Sequence, residues 1–575
     1  VPFGYHGRYL RIDVTHGSVE RVPLDEAVLR QFIGGSGLGV RLLLDAGCAG
    51  LDALDPRSPL IFAFSPLVGS PLTTSAKFAV VSKSPLTDRI NDSLASSGFA
   101  IAGKSCGCDA IVITGRAAEL SVLVIDDGEV RLESAAECAG MTCQAAEARL
   151  RSRLGANFRI ASIGPAGEQG VRYATISHDG RHAGRGGSGA VLGAKHLKAI
   201  AVRGTRRPEW AEPDAVIAIS RDLSRRSFGP ATAKYRELGT AANLLTFNRL
   251  GALPTRNFQT GTFDEAPRLS AEQLRSTREQ TRESCVACTI GCEHLYRVGG
   301  GKVRVEYESL FALGPLCGVS DPDVVLRASQ RCDELGLDTI STGGTIAFAM
   351  ECVERGWLDA PWLTFGSGEA LLRAIDLIGS RQGVGELLAK GSRAAAHAIG
   401  HNSIAIAPQV KGLEMPGYEP RALQTMALGL AVGARGADHN RSGAYEIDFS
   451  EKVDRRHATL DAVRHAIDTE DRAALMDSLI VCKFLRGVFD DFHGETAAML
   501  RSVTGWEVTA DELRLTAARI VAAKREFNVR AGWTPDEDTL PDRFFDAPLP
   551  NDARARLGRE RLDALVAEYR RQRGW

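Results

Sequence analysis

The chain is poor in lysine, aromatic residues, cysteine and long apolar runs, and it carries almost no net charge. Only 12 of its 70 cationic residues are lysine, the opposite of the Lys/Glu enrichment of hyperthermophile proteomes, which points to a mesophile with a GC-rich genome. A net charge of −1 gives no basic footprint for nucleic acid and no acidic tail. No apolar stretch approaches the roughly 18–20 residues of a membrane helix, so no membrane insertion is expected. The first residues, VPFGYHGRYLRIDV, hold no secretory apolar core, and a cytoplasmic location is the expectation. Twelve cysteines among 575 residues are too sparse for a disulfide scaffold; in a reducing compartment clustered thiols more often hold metal. Solenoid repeats, heptad arrays and low-complexity tracts are absent.

What is present is a large globular chain, 44% hydrophobic and 25% charged. Its length exceeds the roughly 250–300 residues at which one core stops growing, so two to four domains are expected. Residues 1–205 are rich in glycine and β-branched side chains, with strand-like runs at 60–64, 78–82, 110–114 and 121–125. Turn signals lie between them, including GGSGLG at 34–39 and AGRGGSG at 183–189. From Pro208 onward the pattern becomes helical. Asp321 and Pro322 suit the N-cap and first position of a helix whose apolar stripe runs to Leu335, and Gly336 can end it in the left-handed conformation. The fold class is therefore α+β, a β-rich front followed by mainly helical domains.

The most specific local feature is ESCVACTIGCEH, a C-x2-C-x3-C run of Cys285, Cys288 and Cys292. Three such thiolates hold three corners of an iron–sulfur cube and need a fourth soft ligand from elsewhere. With His294 they would equally satisfy tetrahedral zinc. Spacing favours the iron–sulfur cube over zinc but does not choose the fourth ligand among remote cysteines; Cys106, Cys108, Cys332 and Cys352 stand in core-like contexts. The G-x-G-x-x-G match at Gly184–Gly189 lacks a clean preceding strand, and the acid of a dinucleotide-binding unit would fall at Glu209 in a proline-flanked linker.

Several blocks in order resemble the aldehyde ferredoxin oxidoreductase family: GRYLRIDVTHG, FIGGSGLG, SPLTDRI, AGRGGSGAVLGAKHLKAIAVRG, CVACTIGC, VEYESLFALG, DELGLDTIS, KGLEMPGYEPR, ARGADH and RAGWTPDEDTLPDRF. The resemblance implies a β-rich pterin-binding domain at 1–205, a helical domain at 206–403 with the cysteine loop and first pterin segment, and a helical domain at 404–575 with the second, the cofactor lying at their interface. It implies a tungsten or molybdenum bis-pterin, a [4Fe-4S] cluster, and Mg2+ bridging the pterin phosphates. The two pterin segments are Asp333 to Asp338 and Asp477 to Cys482, with equal separations, and Cys482 becomes the fourth cluster ligand. Carboxylates suit the N–H donors of a pterin edge. Asp338 also fits the N-cap of the next helix, and Leu479-Ile480-Val481 has no counterpart of Gly336, so a helix break is not signalled there. The phosphate tails are assigned to Lys77 and to Ala183, Gly184, Arg185, Gly186 and Gly187, whose backbone N–H groups can turn toward phosphate. Lys77 stands where the family has arginine, and Ala95-Ser96-Ser97-Gly98 and His182 depart from its pattern.

The same likeness places Glu308, Tyr418 and His439 at the metal. Glu308 would accept a proton from the attacking water, His439 would donate to the carbonyl oxygen and Tyr418 would orient the substrate; which of Glu308 and His439 is the base is left open. Read as a strand, VEYES puts Glu306 and Glu308 on one face. The implied activity is oxidation of a small aldehyde, with electrons passing to ferredoxin or an electron-transfer partner subunit, in a homo- or hetero-oligomer. The rival readings are a reductase of another carbonyl or aromatic thioester on the same scaffold, and a non-catalytic iron–sulfur or zinc protein.

Overall fold

The computed structural model describes all residues, 1–575. The front of the chain forms two six-stranded mixed sheets. The first contains β1 (Arg8–Asp13), β2 (Ser18–Pro23), β3 (Leu60–Ala63), β4 (Lys77–Lys83), β5 (Ile90–Ser96) and β6 (Ala110–Thr114). The second contains β7 (Ser121–Asp126), β8 (Glu129–Ser134), β9 (Arg159–Ser162), β10 (Ile176–His178), β11 (Arg181–Ala183) and β12 (Leu197–Arg203). Strands such as LIFA and KFAVVSK are apolar on consecutive positions because both faces of the sheet are covered. The charged strands SVERVP and EVRLES are the outer edges, where unpaired backbone faces water.

The two sheets share one topology. The first runs β2-β1-β6-β3-β4-β5 and the second β8-β7-β12-β9-β10-β11. Each pairing in the first has its equivalent in the second, including the one parallel pair, β1 with β6 and β7 with β12. The domain is a structural duplication in which each unit spans half of it, too long for a short-period repeat to betray. The inner edges β5 and β11 meet, with Ser93 Oγ donating to Arg185 O (2.6 Å) and Asn91 Nδ2 to Ser188 Oγ (2.9 Å). Each unit starts a helix just after its inner edge, Gly98–Ser105 and Ser188–Ala194. Two helix N-termini thus sit in equivalent places beside the seam.

The GGSGLG run, expected as a turn, instead opens helix Gly35–Asp45. Its glycines permit close approach: a Cβ on Gly35 would lie 2.3 Å from Asp477 O, and one on Gly39 would lie 2.5 Å from Val81 Cγ2. The helix is wedged between the first sheet and the C-terminal end of helix Asp461–Leu479.

The remainder is helical, apart from a three-stranded sheet of β13 (Gln280–Glu283), β14 (Glu293–Val298) and β15 (Gly301–Val305) and one two-stranded ribbon. The expected boundary at 403/404 does not separate two cores. Buried residues from 404–466 and 540–569 share one cluster with those of 241–396, whereas those of 474–527 pack with the sheets. The last third therefore clasps both halves. No single helix is long and apolar enough to cross a membrane.

Because a methyl on Gly35 meets backbone rather than a yielding side chain, Gly35→Ala should destabilise the protein by about 1–3 kcal/mol. Denaturant unfolding checks this against Gly50→Ala, whose Cβ would meet nothing within 4 Å.

Candidate active site and cysteine cluster

A cavity of about 1000 Å³ lies between the seam of the two sheets and the helical part. Lys77, Gly184, Arg185, Cys285, Cys292, Glu308, Asp333, Asp338, Tyr418, His439, Asp477 and Cys482 all line it. Ala183, Gly186, Gly187 and Cys288 do not. Gly186 and Gly187 hold positive φ and pack against protein, since a Cβ on them would lie 2.1 Å from Asn91 Oδ1 and from Arg172 O.

Two helix ends point carboxylates into this space. Helix Pro322–Leu335 stops at Gly336 (φ 75°, ψ 49°) and helix Asp461–Leu479 at Ile480 (φ 66°, ψ 39°). The backbone bonds match: the N–H groups of Gly336 and Leu337 both reach Cys332 O, and those of Ile480 and Val481 both reach Met476 O. The helix break that Leu479-Ile480-Val481 did not signal is present. A left-handed β-branched residue costs roughly 1–2 kcal/mol, and the complete burial of Ile480 against Gly35 offsets it. Asp477 meets Lys483 Nζ at 2.9 Å and Arg441 at 3.2 Å; Asp333 meets His182 Nε2 at 3.2 Å. Asp338 caps helix Thr339–Glu354 by accepting Ser341 N–H (3.0 Å), and Arg185 Nε stands 3.6 Å from the same oxygen.

The cysteine run forms the connection between β13 and β14, closed at its base by the Glu283–Glu293 pair. Loop residues Thr73 and Thr74 tie it to Cys482. Thr74 N–H donates to Ala287 O (2.5 Å), Thr73 Oγ1 accepts Thr289 N–H (3.0 Å), and Thr74 Oγ1 accepts Cys482 N–H (3.1 Å). The thiols feel one another. Burial raises Cys288 to about 11, helped by Cys482 and Cys285, and raises Cys292 further, helped by Cys482, Cys285 and Cys288. Burial would lower the Lys77 ammonium, but Cys482, Cys285, Asp477 and Cys288 outweigh it and raise it. His294, the fourth ligand of the zinc alternative, is not available: Nδ1 bonds Gln280 and Nε2 bonds Tyr235 O at 3.1 Å.

Glu306 and Glu308 do not share a strand face. Glu306 is the N-cap of helix Tyr307–Leu313, and Glu308 lies in its first turn, turned into the cavity. Glu308 Oε2 accepts Gly417 N–H (3.0 Å), and Oε1 lies 3.6 Å from His439 Nε2. The Tyr418 ring stacks on His439 with centroids 4.9 Å apart. Burial lifts the Glu308 carboxyl to about 8, with Asp438 and Asp338 adding to it and Gly417 N–H and Arg185 opposing. Burial drops His439 to about 3; Arg185, Arg486 and Arg441 reinforce this, against Asp438. Glu308 is therefore the stronger base of the two, and His439 is a neutral imidazole. Glu308 Oε1, His439 Nδ1, Arg185 Nε and Arg435 Nε are buried without a hydrogen-bond partner, so this wall is built for something the chain itself does not supply.

Similarity to known proteins shows the family. The family model described as aldehyde ferredoxin oxidoreductase, N-terminal domain, matches residues 9–204, and the model of its domains 2 and 3 matches residues 220–575. The chain belongs to the aldehyde ferredoxin oxidoreductase family. It is 35% identical to the tungsten-containing aldehyde ferredoxin oxidoreductases of Pyrococcus furiosus and Thermococcus kodakarensis, over all of this chain and 96% of theirs. The WOR-like subunit of an aliphatic sulfonate oxidoreductase from Pyrococcus furiosus is 28% identical, over all of this chain and 95% of that one. The fold also matches the active-site complex BamBC of benzoyl coenzyme A reductase with 1,5-dienoyl-CoA, at a TM-score of 0.85 and 23% identity, covering all of this chain and 95% of the other.

One group of residues in this family member escaped the sequence. Asp92, on inner edge β5, is buried and receives Ser36 Oγ at 2.8 Å, Lys524 Nζ at 2.7 Å and Arg441 Nε at 3.1 Å, while Arg435 donates to its backbone carbonyl at 3.0 Å. Burial alone would raise the Asp92 carboxyl, but Arg441, Lys524 and Arg435 hold it far below the usual range. Arg435 and Arg441 flank His439 in sequence and line the cavity. Their common partner lies more than 300 residues away (|i−j| of 343 and 349), so no local pattern marks it. Asp92→Asn should cost about 3–5 kcal/mol of stability by leaving three buried cations under-compensated. Chemical denaturation measures it, and a change within about 0.5 kcal/mol would deny the hub its role.

Proposed function

We propose that this protein oxidises an aldehyde to the carboxylic acid at a tungsten or molybdenum bis-pterin centre, passing electrons through a [4Fe-4S] cluster to ferredoxin or a similar acceptor. The observation that carries the reading is the meeting of Glu308, His439 and Tyr418 in one cavity flanked by two carboxylate-bearing helix ends, with Glu308 Oε1 and His439 Nδ1 unpartnered. The residues fit the cofactor. Asp333, Asp338 and Asp477 offer acceptors for pterin N–H groups. Lys77 and, from the glycine-rich turn, Gly184 and Arg185 offer cationic and N–H donors for phosphate, beside the two equivalent helix starts. For Mg2+ between the phosphates, the unpartnered Asn91 side-chain oxygen is a hard donor next to that turn. Cys285, Cys288, Cys292 and Cys482 would hold the cluster; their mutual repulsion as bare thiolates favours a cationic iron core.

When bound, the metal centre supplies a two-electron acceptor. The chain's own groups then divide the remaining work. His439 donates an N–H to the aldehyde oxygen, polarising its carbon. Glu308, as carboxylate, takes a proton from the water that adds to that carbon, and the Tyr418 hydroxyl orients the substrate. Aldehyde and water give acid, two protons and two electrons, which reduce two one-electron carriers. The likeness to the thioester-reductase complex extends to fold, and the joint presence of Glu308, Tyr418 and His439 favours aldehyde oxidation over the reductase reading.

Anaerobically purified protein should contain about one tungsten or molybdenum and about four iron atoms per chain; zinc alone would end the proposal. Glu308→Gln should retain the metals and lose about 10²- to 10⁴-fold in aldehyde oxidation measured with a viologen dye. Since Glu308 acts as its conjugate base and is pushed up to about 8, kcat/KM should rise with pH until about that value. That limb should be missing from the residual activity of the variant.

A further inference from the structure

The cavity continues outward from the catalytic groups along an aromatic path. His439 stacks on Tyr418 (4.9 Å), Tyr418 meets Phe247 edge-on (5.2 Å), and Phe247 stacks on Phe449 (5.2 Å), whose side of the wall reaches solvent with Phe449 41% exposed. Tyr445 adds a second ring against Tyr418 at 4.9 Å, and Leu250 lines the cavity one helical turn beyond Phe247. Rings therefore run without interruption from the imidazole to the surface. Apart from the half-exposed Glu306, the acidic residues lining the cavity are Glu308, Asp333, Asp338, Asp438 and Asp477, and the rings bring no acid of their own to this stretch. Of its two cations, Arg486 is already satisfied, by Glu446 (2.9 Å) and by the Tyr445 hydroxyl (2.6 Å), leaving Lys234 alone.

Such a wall discriminates by the far end of the substrate. A phosphate or carboxylate tail would need two or more free donors and would be desolvated against ring faces, whereas an aryl group gains offset or edge-to-face contact with each ring it passes. A short alkyl group fills little of the path. We infer that the substrate class of this enzyme is uncharged aromatic aldehydes, with Phe247, Phe449 and Tyr418 receiving the aryl group while the aldehyde faces Glu308 and His439. Phe247 is the central specificity residue, because it alone touches both the inner and the outer ring of the path. The inference rests on the aldehyde-oxidation reading but is tested apart from it.

The experiment compares benzaldehyde, acetaldehyde and glyceraldehyde 3-phosphate as substrates of the metal-loaded enzyme with a viologen dye, and titrates benzoate and acetate into the same enzyme by calorimetry. Benzaldehyde should exceed each of the others in kcat/KM by about tenfold or more, and benzoate should bind at least about tenfold more tightly than acetate. Phe247→Ala should bring both ratios toward unity with tungsten content retained, and Phe247→Tyr should preserve them. Should Phe247→Ala fail to fold, Phe449→Ala at the exposed end should lower the same ratios. Equal or faster turnover of acetaldehyde or the phosphorylated aldehyde overturns the inference. Tight benzoate binding without oxidation of any aldehyde would instead reject the reading of the reaction and leave the aryl site standing; equal binding of benzoate and acetate would reject the site.

Discussion

A buried carboxylate on the inner edge of the first sheet organises the molecule. Asp92 draws Arg435 and Arg441 from one part of the helical region and Lys524 from another onto one strand. Buried charges of this kind are costly unless every partner is in place, so the ion cluster specifies how the helical clasp seats on the sheets. Arg441 reaches from this cluster to Asp477, and Arg435 to Asp438, which caps the short helix that begins with His439. The His439 imidazole and one of the two helix-end carboxylates are thus set by the same network that closes the interface.

The interface also explains the pairing of the helix ends. A duplicated sheet domain presents two equivalent helix starts, and the helical part answers with two helix ends of matching backbone geometry at Gly336 and Ile480. On one side glycine makes the left-handed turn without strain. On the other, isoleucine accepts the strain because its side chain fills the space over Gly35, the residue that lets the first long helix reach Asp477 O. The two solutions deliver a carboxylate to the same cavity by different means, and only the second delivers a thiol with it.

Burial sets the chemistry inside. It raises the Glu308 carboxyl and depresses the His439 imidazole, inverting the ordinary order in which the imidazole is the stronger base. Burial and the neighbouring thiols raise Cys288 and Cys292 in the same direction, so a cation bound there would displace their protons. Around these groups the walls differ: carboxylates and cations face the sheet seam, and rings face the exit.

Much was legible in the sequence. The change from β-rich to helical texture near 205, the helix from Pro322 to Gly336 and the C-x2-C-x3-C loop all depend on neighbours within a few residues, where capping, periodicity and spacing act. The likeness of many ordered blocks carried the family. What the linear chain withheld depends on distant partners. The duplication of the sheets is a matter of strand order, not of similar letters. GGSGLG proved to be a helix because packing on Asp477 and Val81 demands small residues there, a requirement indistinguishable locally from that of a turn. Ile480 breaks its helix against its own propensity because tertiary burial outweighs a modest backbone strain. The boundary at 403/404 dissolved because the last helices complete both cores. Local covalent neighbours determined the elements and the cluster motif; only the folded contacts, by removing charges and rings from water together, decided which side chains share the cavity and which form each holds.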